Sequence, residues 1–253
     1  MPSFTLLDDS AASQAQRASR LYTDLQQELC CTDPAGFDAM MARMQDGLDQ
    51  GLFAVGLFPY ELGVALQGLE RSAGSQPARI LLYRQCRQLD CDQVVAWLTA
   101  QLACDEPAGI AQLRSSVGEE QFASAIERIG HYIRDGDTYQ VNYTFRYHFK
   151  TYGQLCALYL RLRPRQAVPY GALIALPDGS AVLSLSPELF VRNRQGILDA
   201  RPMKGTAAAF GAGDSLENDR VNRQKSTQLS QDVKNRAEKI GRASCRERVL
   251  RLV

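Results

Sequence analysis

No run of apolar residues in this 253-residue chain approaches the ~20 that a membrane helix needs. The longest candidate, residues 51–60, carries Pro59 and is too short, so the sequence predicts no membrane segment. Charge of one sign is lacking as well. The 29 Lys and Arg residues nearly balance 28 Asp and Glu, leaving +1. That balance offers no electrostatic reason to expect nucleic acid or an anionic membrane surface as partner. The seven cysteines follow no C-x-x-C pattern and are odd in number, as expected of reduced thiols in a cytoplasmic protein. The N-terminus, MPSFTLLDDS, has two early acids and no basic segment before an apolar core, so it does not read as a secretory signal.

What is present is ordinary soluble material. The chain is 45% hydrophobic and 23% charged, enough for a substantial core in one large domain or two small ones. Residues 1–33 predict an edge strand plus loops. Asp33-Pro34 opens a helix on which Phe37, Met40, Met41, Met44 and Leu48 recur at helical spacing, and Gly51 ends it. A buried strand is predicted over 52–58, a tight exit at Pro59-Tyr60-Glu61-Leu62-Gly63, a loop over 71–76, a strand over 80–83 and a helix over 92–102 that holds Trp97. Ser116-Val117-Gly118-Glu119 reads as a capping box ahead of a helix with Phe122, Ile126, Ile129 and Ile133 on one face. From Tyr139 to Lys150 aromatic or apolar residues alternate with polar ones, which predicts a twelve-residue strand with its aromatic face inward. Its polar face, with Gln140 and Asn142, either lines a cleft or is solvated.

A helix over 155–162 and strands over 171–176 and 181–185 follow, joined by the turn Pro177-Asp178-Gly179-Ser180. Residues 207–215 read as a mobile loop and 215–238 as a polar helix. Short turns between the later strands predict antiparallel pairing. The fold class is therefore α+β, with antiparallel sheets and helices packed outside.

One stretch, LSLSPELFVRNRQGILDARPMKGT over residues 183–206, holds two turns with chemical potential. A hairpin returns the chain to where it left. The hairpin predicted around Arg194-Gln195-Gly196 therefore puts Glu188 and Lys204 at the same end of two neighbouring strands. The pair reads either as an acid and a nucleophile or as a structural ion pair.

Four motifs recur in order: Gly136-Asp137-Thr138-Tyr139-Gln140-Val141-Asn142, Leu183-Ser184-Leu185-Ser186-Pro187-Glu188, Arg201-Pro202-Met203-Lys204-Gly205-Thr206 and Lys234-Asn235-Arg236-Ala237-Glu238. In these residues the chain resembles the chorismate-utilising enzymes, and within them the branch that aminates chorismate at C4 on the route to 4-aminobenzoate and folate. The resemblance is best over 115–238, with Tyr60-Glu61-Leu62-Gly63 as an echo in the earlier part. It implies a chorismate-binding, anthranilate synthase-like fold of which the N-terminal part is present. It implies that Lys204 attacks C2 of chorismate, forms a covalent intermediate, and is expelled when ammonia adds at C4. That role needs a neutral amine, so burial or nearby positive charge must lower the Lys pKa from ~10.4. The resemblance further makes Glu188 the acid beside the C4 hydroxyl, Glu238 an Mg2+ ligand, and Arg201, Gly205 and Thr206 substrate contacts. A glutamine amidotransferase subunit supplying ammonia is the implied partner. Anthranilate synthases carry a small residue where this chain has Lys204, which argues against that alternative.

The resemblance divides the chain into an N-terminal region over 1–110, the N-terminal half of a chorismate-binding domain over 111–238, and a tail over 239–253. The tail is basic, carries no apolar period, and back-translates to a string that looks like a sequencing-adapter read, so it is expected to be non-native. The family pattern continues for roughly another domain's length. On that basis the chain as it stands is expected to be incomplete and inactive, and a non-catalytic fragment is the further alternative. Ala207-Ala208-Ala209 stands where the family carries a Pro-Arg pair, so the loop after Thr206 departs from the pattern.

Overall fold

The structure is a computed structural model that describes residues 2–69, 76–103, 106–201, 207–211, 215–233 and 236–237. In chain order the first elements are β1 (Phe4–Asp8), β2 (Ser19–Cys31), α1 (Phe37–Asp49), β3 (Phe53–Leu57), α2 (Tyr60–Leu66) and β4 (Ala78–Leu89). Next come α3 (Cys91–Ala100), β5 (Gly109–Ser115), α4 (Glu119–Arg134), β6 (Tyr147–Tyr152) and α5 (Leu155–Leu162). The last are β7 (Tyr170–Ala175), β8 (Ala181–Ser186), β9 (Leu189–Arg194), β10 (Ile197–Arg201) and α6 (Leu216–Gln231). The mixture of helices and antiparallel sheets is the α+β class expected from the sequence. The chain forms two compact units, one from residues 1–91 together with 166–253, the other from 92–165.

The first unit is built on a six-stranded sheet in the order β3-β4-β2-β1-β7-β8, with every neighbouring pair antiparallel. β4 explains its layering. Ile80, Leu81, Leu82 and Tyr83 are all fully buried, because side chains alternate between faces and both faces of this strand are covered. Ile80 and Leu82 join Leu29, Met40 and Leu62, with Phe37, Met41 and Met44 of α1 packed beside them. Leu81 and Tyr83 face the other way, into a cluster with Tyr22, Val55, Ile174 and Leu176. Burying Tyr83 requires a partner for its hydroxyl, and Thr5 Oγ1 lies 3.0 Å from it.

The expectation for residues 1–33 changes. β1 is not an edge strand. It lies between β2 and β7, pairing Leu6 with both Leu21 and Leu173, and β2 is thirteen residues long. β3, expected to be buried, is instead the strand at the sheet's end, and Val55 is its one buried residue. The segment after it is not merely a tight exit, since Pro59 N-caps the short helix α2. The predicted loop over 71–76 lies outside the described residues except for Gln76.

In the second unit, α3 buries Val94 and Leu98, and α5 buries Cys156, Leu158 and Tyr159. β5 and β6 form a separate two-stranded ribbon. The twelve-residue strand is the main correction here. Only 147–152 is a strand, and residues 139–146 belong to no sheet among the described residues. The aromatic residues are not turned inward either: Tyr139, Tyr147 and Phe149 are exposed. Alternation records that a segment can pair on one face, and no neighbouring strand among the described residues provides that pairing. The capping box also moves. Gly118 is the N-cap of α4, with Gln121 Oε1 accepting from its N–H at 3.2 Å. Ser116 instead tethers the extended segment, its N–H donating to Arg146 O at 2.8 Å and its Oγ accepting from Arg146 N at 2.9 Å.

Candidate active site

The candidate site starts from a turn. Gln195 and Gly196 take φ of 52° and 84°. Two successive positive φ values are what a tight hairpin needs to match the twist of its strands. Asn193 Oδ1 accepts from Gly196 N at 3.0 Å and holds the turn closed. Pairing runs Ile197 with Arg194, Leu198 with Asn193 and Asp199 with Arg192, then shifts so that Arg201 faces Leu189. The hairpin predicted from sequence is therefore present, and its register sets Arg201 opposite Leu189, the residue after Glu188. Lys204, Gly205 and Thr206 lie outside the described residues, as does Glu238.

Glu188 sits in a pinned kink. Its backbone N–H donates to Ser186 Oγ at 3.3 Å, and Ser186 Oγ–H donates to Glu188 O at 3.2 Å. This clamp lets the chain leave the six-stranded sheet at Ser186 and start the separate β9–β10 ribbon at Leu189. Gln166 Nε2 donates to Leu185 O at 3.3 Å just upstream. Glu188 is half-buried. Sequence reasoning identified the Ser-Pro-Glu turn but missed the clamp. A Ser two residues before another polar residue across a Pro was the signal for it.

Arg201 closes the ribbon. Its guanidinium is 66% exposed, and its carboxylate neighbour Asp199 is 3.8 Å away. An exposed pair at this separation is worth at most about 1 kcal/mol. Arg201 is therefore held only loosely, and a guanidinium meets a carboxylate more strongly in bidentate geometry than in this pair.

Residues 207–211, expected to be a mobile loop, are tied to α6. Phe210 N donates to Asn222 Oδ1 at 2.8 Å, and Asn222 Nδ2 donates back to Phe210 O at 3.3 Å. Lys225 Nζ donates to Ala208 O at 2.8 Å and stands 5.8 Å over the Phe210 ring. α6 is capped by Ser215, whose Oγ accepts from Asn218 N at 3.1 Å. The helix is mostly polar and runs to Gln231, short of the Lys-Asn-Arg-Ala-Glu motif. The same helix thus anchors the segment after the lysine motif and leads to the glutamate motif.

Gln140 and Asn142 lie in the second unit, where Gln140 Nε2 donates to Asn142 Oδ1 at 3.3 Å. Among the described residues no group of three His, Cys, Asp or Glu side chains exists that could hold a metal ion. No described helix is long and apolar enough to cross a membrane.

One feature of the first unit was invisible in the sequence. Arg79 donates to Glu28 at 2.9 Å and to Asp178 at 2.7 Å, joining residues 51 and 99 positions away from it. It lines a concavity of about 410 Å³ together with Leu57, Phe58, Pro77 and Leu176.

Comparison with known proteins adds the family. The profile of the family described as chorismate binding enzyme matches residues 5–241. The chain is 30% identical over 209 residues to aminodeoxychorismate synthase component 1 of Klebsiella aerogenes, covering 74% of this chain and 44% of the relative. It is 30% identical over 206 residues to the protein of the same name from Salmonella typhimurium, with the same coverage. It is 32% identical over 128 residues to anthranilate synthase component 1 1 of Haloarcula marismortui, covering 51% of this chain and 25% of that protein. The chain thus spans less than half the length of these relatives.

Proposed function

Since this chain belongs to the family of chorismate binding enzymes, we propose that it is part of an enzyme that aminates chorismate at C4 to 4-amino-4-deoxychorismate. The observation that carries the reading is the β9–β10 register, in which Leu189 faces Arg201. It supports a site where the Ser-Pro-Glu turn and the Arg-Pro-Met-Lys-Gly-Thr motif meet. The relatives' names support the choice of reaction.

In this reading the Lys204 amine forms a bond to C2 of chorismate while both double bonds of the ring diene shift and the C4–O bond breaks. Glu188 delivers a proton to the departing hydroxyl, which leaves as water. Ammonia then adds at C4 and loses a proton, both double bonds shift back, and the C2–N bond to Lys204 breaks. The net change is one ammonia in and one water out. Arg201 serves twice. It binds a substrate carboxylate, and its fixed charge favours the neutral form of a nearby lysine. Gly205 and Thr206 contact substrate next to the nucleophile. Glu238 would hold Mg2+ from one side, an ion that takes few protein carboxylates and several oxygens of anionic substrate or water. The described residues supply no cluster for that ion. A glutamine amidotransferase subunit supplies the ammonia, the product feeds 4-aminobenzoate and folate synthesis, and the setting is cytoplasmic.

The test supplies chorismate, ammonium and Mg2+ to this chain together with the parts of the Klebsiella relative that lie outside the matched region. Product is identified by mass and fluorescence. Aminodeoxychorismate is expected, and Lys204→Ala is expected to reduce its formation by roughly 1,000-fold or more, as for loss of a covalent nucleophile. Undiminished product from that variant would sink the covalent step. Anthranilate as product would favour the activity named for the Haloarcula relative.

A further inference from the structure

Residues 207–211 directly follow Lys204-Gly205-Thr206 in sequence and have little of their own to hold them. Ala207, Ala208, Ala209 and Gly211 offer no polar side chain. α6 supplies what they lack. Asn218, Asn222 and Lys225 stand four and three positions apart, a spacing that puts them on one face of that helix. Asn222 meets Phe210 as a neighbouring strand would. Its carboxamide accepts from Phe210 N at 2.8 Å and donates to Phe210 O at 3.3 Å, because it carries the same donor and acceptor as a peptide group. Lys225 donates to Ala208 O at 2.8 Å with its ammonium over the Phe210 ring. At Gly211, φ is 71°, and a Cβ there would run into the Asn218 carboxamide. Glycine is what lets α6 come this close. All three hydrogen bonds grip backbone atoms, so they fix these positions in the chain rather than particular side chains.

The consequence lies upstream. Arg201 is fixed at the end of β10 by its pairing with Leu189, and Ala208 is fixed by Lys225. Six residues, 202–207, connect these two points, and Lys204 is among them. A short connection held at both ends samples far fewer positions than one held at a single end. Position matters for a nucleophile, since a misplacement of about 1 Å can cost on the order of 100-fold in rate. We infer that Asn218, Asn222 and Lys225 are positioning residues, which act through residues 208–211 to hold the far end of the connection that carries Lys204. They reach the chemistry only through the chain and contact no reacting atom. The kinetic part of the inference rests on the proposed role of Lys204, and the tether itself does not.

The experiment reads amide hydrogen exchange of the 253-residue chain without substrate, in the parent and in Asn222→Ala, Lys225→Met and Lys225→Arg. Ala and Met form helix at least as well as the residues they replace, and α6 buries no residue, so melting should be unchanged. In Asn222→Ala and Lys225→Met, exchange is expected to rise about tenfold at 208–211 and also across 203–207. Lys225→Arg keeps a donor and a cation beside Phe210 and is expected to stay within about twofold of the parent. Parent rates in both disrupting variants would overturn the tether. Faster exchange confined to 208–211 would overturn the positioning role, as would failure of Lys225→Arg to retain the parent rates. Turnover is then read with the parts of the Klebsiella relative outside the matched region supplied to the chain. Asn222→Ala is expected to lower kcat for aminodeoxychorismate about tenfold with KM within about twofold. An unchanged kcat, or a loss confined to KM, would overturn the positioning role. A parent mixture that makes no aminodeoxychorismate would overturn the proposed reaction instead, and the tether would stand or fall on the exchange rates.

Discussion

Arg79 shows how much one side chain can organise. Its guanidinium joins Glu28 on β2 to Asp178 in the β7–β8 turn. Asp178 also accepts from Ser180, from the hydroxyl at 2.5 Å and from the backbone N–H at 2.9 Å. The Ser180 bonds and then Arg79 hold its carboxyl down at about 2, below the ordinary 3.8. A carboxylate whose folded pKa is depressed stabilises the fold above its unfolded pKa, and that contribution is lost as pH falls through the folded value. Melting temperatures followed from pH 5 down to pH 2 should therefore fall more steeply for the parent chain than for Asp178→Asn, chiefly between about pH 4 and 2. Parallel curves would show that the turn contributes nothing to acid sensitivity. None of this was legible in the sequence, where Pro177-Asp178-Gly179-Ser180 announced a turn but not the arginine that reads it. Glu188 is the opposite case. Its placement beside the end of β10 followed from the Arg194-Gln195-Gly196 turn, because a tight turn fixes the register of both strands.

Among the elements, those determined locally were the readable ones. α1 was visible because the Met stripe and Gly51 mark its face and end within one window, whereas Asp33-Pro34 opens a separate 3-10 turn, Pro34–Gly36, just ahead of it. The interior position of β1 was not, because its second neighbour β7 lies more than 160 positions away and no local pattern records such a partner. Residues 139–146 failed for the related reason that alternation is a capacity, not a contact. The connection from β6 to α5 offers a sharp test of local geometry. Gly153 has φ of 76°, and a Cβ there would stand 2.5 Å from Pro107 O and 2.7 Å from Ala108 Cα. These are backbone atoms, which cannot rotate away as a flexible side chain can. Gly153→Ala is expected to cost roughly 1–3 kcal/mol or more, read as a lower urea midpoint. A midpoint within error of the parent would mean that this contact yields freely.

At the scale of the whole molecule the two units differ in what they enclose. β4 is covered on both faces, whereas β5 and β6 have no buried residue. Amide exchange of the isolated chain should accordingly be slowest at Ile80–Tyr83 and faster by several orders of magnitude along β5 and β6. Equal protection in both places would contradict this ordering. The candidate site is legible in sequence as far as the hairpin carries it, and the roles of Lys204 and Glu238 rest on motif resemblance. The sheet order of the first unit also has a consequence in time. β1, at residues 4–8, cannot gain its second neighbour until residues 170–175 exist. At roughly 5–20 residues per second of synthesis, the first strand waits on the order of 10–30 seconds with one edge open. During that interval a nascent-chain chaperone, or the strand edge of a neighbouring polypeptide on the same polysome, has access to Phe4–Asp8 that the finished sheet denies.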